Sequence, residues 1–215
     1  MKTLETPQNR LAGYAFLVEQ YRLDVLPNWH RSLVSQTGTL RRAIQDGQVE
    51  SIYPLSYWPG DRTGDHLEFA LKYDGVNLGL LSALFEVVAA EEMTAWITSK
   101  PTGKYARRAW FLYEFLTGRQ LPLPDLTKGN YIELLEPDRY YTATPGRRVQ
   151  RQRVIENLLG GQSFCPVIRR TDKLAAMEQI DLRKQCEEVA ASYPPELLRR
   201  ALSYLYSKET KSSFE

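Results

Sequence analysis

The sequence predicts an α+β fold, predominantly α-helical: a helical core with one or two small β-hairpins. Three observations predict it. Apolar residues recur at three- and four-residue steps over most of the chain. Short β-branched and aromatic runs bounded by turn residues interrupt that pattern near positions 31–53 and 131–144. The composition is 43% hydrophobic and 11% aromatic over 215 residues, enough for one sizeable core or two small ones and too apolar for disorder.

In chain order, Pro7 precedes a helical pattern to about Leu23, with Leu11, Tyr14, Ala15, Leu17, Val18 and Tyr21 on one stripe. Pro27 closes it. Leu33-Val34 and 49–53 read as strands of a small hairpin or sheet, separated by the turn signals at 35–38 and Asp46-Gly47. Residues 66–73 are helical and end at Asp74-Gly75. Asn77 is placed to cap a helix over 78–89. Residues 91–98 form another, stopped by Lys100-Pro101. Thr102-Gly103 opens the best helix in the chain, too apolar for a solvated surface, with Tyr105, Trp110, Leu112, Tyr113, Phe115 and Leu116, and Gly118 ends it.

The proline-rich 121–125 stretch suggests a boundary, giving a mainly helical region 1–120 with a small β element and a second region 121–215, or one continuous domain. Residues 131–135 and 140–144 read as a hairpin around 136–139. Residues 146–170 are basic and mixed. Helices return over 174–190, with a break near Ile180-Asp181, and from Pro195 to about Tyr206. Pro195 and Glu196 suit a first helical turn. Leu198, Ala201, Leu202 and Leu205 form a stripe expected to pack on the rest of the chain.

A formal charge of +2 exerts no global pull toward nucleic acid or membrane. No apolar run approaches the ~20 residues that span a bilayer. The N-terminus lacks a secretory pattern, and Cys165 and Cys186 read as reduced thiols. The expectation is a cytoplasmic protein without a membrane partner.

Arg147, Arg148, Arg151 and Arg153 form the sharpest charge feature, four arginines within seven residues. Guanidinium forks bind phosphate or carboxylate bidentately, so the cluster is a candidate contact for phosphate or an acidic partner. The competing reading is a solvated turn whose arginines pair with Glu133, Glu136, Asp138 or Glu156. No aromatic is interleaved within the cluster, and Tyr140 and Tyr141 just upstream read equally well as strand residues, so nucleic acid is the less favoured partner. His66 has Asp61, Asp65 and Glu68 as sequence neighbours but no metal-ligand spacing, and His30 has no partner in sequence. Both read as structural. No nucleophile elbow, phosphate loop or dinucleotide fingerprint occurs. No residue is assigned to catalysis, cofactor or metal.

The segment 204–214, Tyr-Leu-Tyr-Ser-Lys-Glu-Thr-Lys-Ser-Ser-Phe, resembles the lead-in to the catalytic core of Fic-family (filamentation induced by cAMP) proteins. In many of them a helix before the core carries Ser/Thr, three residues, then Glu followed by Gly or Asn. Ser213 matches the Ser/Thr, which places the inhibitory Glu two residues beyond Glu215. In the family that Glu pairs with an arginine of the nucleotide site and blocks the productive pose of the ATP γ-phosphate. The resemblance extends to 106–117 and 157–171. It implies an N-terminal accessory region that ends inside a longer protein, an adenylyltransferase moving AMP from ATP and Mg²⁺ onto a hydroxyl of an unknown target protein. The family's catalytic loop runs from His-Pro-Phe to Gly-Asn-Gly-Arg. The two histidines here are followed by Arg31 and Leu67, and neither motif occurs. The chain by itself is therefore expected to be non-catalytic and to hold no cofactor, with its own Fic core as partner. The alternatives are a nucleic-acid-binding or regulatory module using Arg147–Arg153, and a stand-alone protein-interaction domain.

Overall fold

The computed structural model describes residues 9–36, 38–45 and 47–212. The chain divides into two compact units, Met1–Arg169 and Arg170–Glu215. The fold is α+β and predominantly helical, with two small mixed sheets among the described residues.

The first unit opens with a strand where a helix was expected. Strand β1 (Arg10–Ala12) ends at Gly13, whose φ of 60° is one that glycine adopts without strain. A Cβ on Gly13 would also collide with the Asp74 carboxylate. Helix α1 (Tyr14–Tyr21) therefore starts only after this turn and stops at Arg22 in the left-handed region. Strands β2 (His30–Ser35), β3 (Arg41–Gln45) and β4 (Gln48–Pro54) complete a sheet of order β1-β2-β4-β3. The two runs legible in the sequence, β2 and β4, are neighbours but parallel, with His30 opposite Val49. The antiparallel pair is made by β3 and β4, with Gln45 opposite Gln48.

Helix α2 (Thr63–Phe69) widens into a π turn over Ala70–Asp74 and stops at Gly75, φ 89°. Helix α3 (Leu78–Val87) is capped by Asn77, whose side chain accepts from Leu80 N at 3.0 Å. Helices α4 (Ala90–Ser99) and α5 (Lys104–Thr117) follow, and Gly118 closes α5 at φ 67°. Helix α5 is buried from Ala106 to Tyr113 and packs most closely on α3. The core it centres on includes Tyr14, Leu17, Leu67, Leu84 and Phe85, and continues past 121 into Leu134, Leu135, Tyr140, Val154 and Leu158. Each fully buried leucine contributes about 1.5–3 kcal/mol.

Strands β5 (Ile132–Glu133), β6 (Arg147–Val149) and β7 (Val154–Glu156) form the second sheet, order β5-β7-β6. β5 runs parallel to β7, and β6 is antiparallel to it. The hairpin expected between 131–135 and 140–144 does not form. Tyr140 is drawn into the core, where its hydroxyl accepts from Val76 N at 2.9 Å, and its backbone bridges to Arg169. Leu135 pairs instead with the Asn157 side chain, which accepts its N–H at 3.0 Å and donates to its carbonyl at 2.9 Å.

The second unit holds α6 (Asp172–Glu178), α7 (Leu182–Ala191) and α8 (Pro195–Ser212). Thr171 caps α6 and Asp181 caps α7, which sets the break expected near 180–181. The stripe expected to pack from α8 is largely uncovered. Leu198 is half-buried beside α7, while Ala201 is exposed and Leu202 and Leu205 are 55% and 52% exposed. A stripe on one helix is buried only where a second element faces it. Among the described residues no helix is long and apolar enough to cross a membrane.

Candidate functional site

Two consecutive arginines in the apolar helix α5 organise the second sheet. Arg107 donates from Nε to Gln152 O at 2.9 Å and from Nη2 to the carbonyls of Asn130, at 2.8 Å, and Arg153. Arg108 donates to Glu133 O from Nε and Nη2, at 2.9 and 2.7 Å, and to Glu136 Oε1 at 3.1 Å. Both are nearly fully buried. Their guanidiniums tie carbonyls of the second sheet and its flanking turns to α5, and Arg153 O also accepts from Ile132 N at 3.2 Å. Arg108 has a counter-ion in Glu136. Burial pushes the Glu136 carboxyl up, but Lys104 at 2.6 Å and Arg108 at 3.1 Å outweigh it and bring it to about 2; Arg139 also pairs with it at 3.0 Å. Arg107 has no carboxylate among the described residues. Burial, and then the charge of Arg153, pull it below the usual arginine range.

The four arginines of the 147–153 segment separate into different roles. Arg151 turns inward. It grips Glu114 through Nε at 3.1 Å and Nη2 at 2.9 Å, reaches Asp125 at 2.8 Å, and donates to the carbonyls of Leu121 and Leu123. Its side chain is 18% exposed, and these hydrogen bonds consume its fork. Arg147 is exposed and pairs with Glu156 at 3.1 Å, the cross-strand partner. Arg148 and Arg153 converge on Tyr131, with guanidinium carbons 5.4 and 4.8 Å from its ring centroid. Arg153 has φ 50°, which closes the turn between β6 and β7. Tyr131, the interleaved aromatic that the cluster lacks in sequence, is supplied by the residue preceding β5. Tyr140 is core. Ser213 lies outside the described residues.

A second polar cluster is sealed beneath the first sheet. His30 Nε2 lies 2.8 Å from Ser51 Oγ, and Nδ1 lies 3.1 Å from Asp74 Oδ1. Asp74 also accepts from Tyr14 N at 3.0 Å and from Ser32 Oγ. The order Ser–His–Asp is that of a nucleophilic triad. Ser51, Asp74 and Ser32 are fully buried and His30 is 2% exposed, so no substrate reaches the serine, and the cluster acts as a polar lock between β2, β4 and the π turn. Burial raises Asp74 against the lowering effect of its donors. His66 is also fully buried, stacked on Phe16 with centroids 3.6 Å apart and edge-on to Trp58. Its acidic sequence neighbours serve cations instead: Asp65 takes Arg62 and Lys100, Glu68 takes Lys100, and Asp61 takes Arg10.

Among the described residues no group of three or more His, Cys, Asp or Glu could hold a metal ion. Cys165 and Cys186 are free. In a surface pocket of about 430 Å³ between Tyr57, Phe69, Tyr73 and Lys72 the carboxylates are both spent on one cation, because Asp65 and Glu68 hold Lys100. Arg148 and Arg153 differ in this respect: beside Tyr131 they stand without carboxylate partners among the described residues. Comparison with protein-family models, curated proteins and solved structures gives no match to this chain.

Proposed function

We propose that this chain is the N-terminal accessory region of a Fic-type protein that transfers AMP from ATP to a hydroxyl of a target protein. The observation that carries the reading is the 204–214 segment, which resembles the lead-in to a Fic core and of which residues 204–212 lie in the helix that begins at Pro195. The region would position or restrain the core, or recognise the target. The chain contains neither His-Pro-Phe nor Gly-Asn-Gly-Arg, so ATP, Mg²⁺ and the transfer chemistry belong to the core. Leu202 and Leu205, exposed on α8, supply apolar surface of the kind a following domain covers.

The test is auto-labelling with AMP in the parent protein. Replacing the Glu two residues beyond Glu215 with Gly should raise labelling, because its carboxylate no longer occupies the arginine that the γ-phosphate needs. Ser213→Ala should raise it less. This chain alone should take no label from ATP. An unchanged Glu→Gly variant removes the inhibitory alignment of Ser213, and labelling by the chain alone overturns the accessory-region reading.

A further inference from the structure

We propose that the surface around Tyr131 binds the backbone of a single-stranded nucleic acid, with Arg148 and Arg153 as its phosphate contacts. This inference stands apart from the Fic reading, and neither requires the other.

The first support is charge that nothing in the described fold neutralises. Arg148, Arg153, Arg107 and Lys128 have no carboxylate partner among the described residues. The neighbouring acids are already engaged: Glu156 by Arg147, and Glu114 and Asp125 by Arg151. Glu133 is engaged by an amide, its Oε2 accepting from Asn157 Nδ2 at 2.9 Å. Beneath the surface, the buried Arg107 contacts only carbonyls and adds a like charge next to Arg153. Arg107 and Arg153 are like charges near enough to act on each other, so an anion bound there offsets part of that repulsion.

The second support is the shape of the cationic groups. Both guanidinium carbons lie within 6 Å of one tyrosine ring. A guanidinium held against an aromatic ring keeps its N–H groups for a bidentate phosphate contact and offers a flat surface on which a base can stack. The Nε of Arg153 is buried with no hydrogen-bond partner. The exposed loop 127–130 carries Lys128 and is tied to the same arginines, with Arg107 on Asn130 O at 2.8 Å and Arg153 on Thr127 O at 3.4 Å. A lysine, two arginines and one aromatic brought together across the three-stranded sheet match a few nucleotides of a splayed strand. Duplex readout needs a helix or ribbon that enters a groove, and the element here is the three-residue β6.

The experiment is fluorescence anisotropy of the purified chain with labelled oligo-dT and oligo-U of fifteen nucleotides, a labelled hairpin duplex and a labelled poly-glutamate peptide. With three phosphates neutralised, single-strand affinity should fall roughly 20-fold from 50 to 200 mM salt. Arg148→Gln with Arg153→Gln should weaken binding at least about 10-fold and reduce the salt effect to about 3-fold. Tyr131→Leu should cost about 5-fold or more through lost stacking. Arg199→Gln with Arg200→Gln removes the same charge from α8 and should leave binding unchanged. Circular dichroism establishes that each variant is folded. The proposal is overturned if the wild-type chain fails to bind at 50 mM salt. It is also overturned if the α8 control weakens binding as much as the site variant, or if the duplex or poly-glutamate binds as tightly as the single strands.

Discussion

Arg151 and Glu114 form a partly buried fork, Nε and Nη2 both on Oε1 at 3.1 and 2.9 Å, with the two side chains 18% and 12% exposed. The pair ties the β6–β7 turn to the end of α5. The same carboxylate accepts from Trp110 Nε1 at 2.7 Å and from Gln152 Nε2 at 2.6 Å. The most arginine-rich segment of the chain therefore spends one of its four cations on holding the fold together.

Arg151→Ala should lower stability by roughly 3–5 kcal/mol, because it leaves a buried carboxylate with neutral donors only. Urea unfolding measures this. A loss below about 1 kcal/mol would mean that solvent replaces the arginine and that the pair is a surface contact.

Gly13→Ala should destabilise by more than about 2 kcal/mol. Alanine is disfavoured at φ 60°, and its methyl meets the Asp74 carboxylate that caps Tyr14 N. Thermal unfolding of this variant beside Gly118→Ala, which has positive φ but only a contact with the Gln162 side chain, separates the two causes. Equal shifts in melting temperature would show that the Asp74 contact adds nothing.

Acid should weaken the fold first through His66. Burial brings its pKa from 6.5 down to about 4, against the raising effect of Gly60, Asp61 and Asp65. The folded protein then binds fewer protons than the unfolded chain, so stability is full above about pH 6.5 and is lost as pH falls toward 4. Between pH 7.5 and 5 the loss attributable to this residue is about 2 kcal/mol. His66→Phe keeps an aromatic ring against Phe16 and should remove that part of the pH dependence. Parallel pH profiles for the two proteins would refute the assignment.

Glu136 acts in a lower window. Its folded pKa of about 2 lies below the ordinary 4.5, so its contribution is present above pH 4.5 and disappears as pH falls toward 2. Glu136→Gln should cost about 1–3 kcal/mol at neutral pH and little at pH 2.5. The same cost at both pH values would show that the carboxylate charge is not what Lys104, Arg108 and Arg139 require.

Leu202→Ala should change stability by less than about 0.5 kcal/mol, as expected for an exposed side chain. A loss of about 2 kcal/mol or more would place Leu202 in a core.

Local chemistry makes the helices legible in the sequence. The Asn77 cap, the Gly118 stop, the break before Asp181 and the start at Pro195 depend on residues three or four apart, and each is where the sequence places it. The strands are legible as runs but not as pairs. β2 with β4 and β5 with β7 are parallel, and the hairpin expected at 131–144 gives way to burial of Tyr140 and to the side chain of Asn157. Pairing is set by which residues the core draws in, and no local pattern carries that information. The site shows the same division. The sequence displays four arginines within seven residues but not their fates. Arg151 is claimed by Glu114, 37 residues away, and Tyr131 is delivered by a strand that pairs across the chain. Arg107 and Arg108 offer one readable signal, two adjacent charges set among the apolar residues 105–113 of α5. The amino-acid sequence by itself determined the helices and the supply of charge. Only the tertiary structure decided which charges are neutralised, because that depends on distances between residues far apart along the chain.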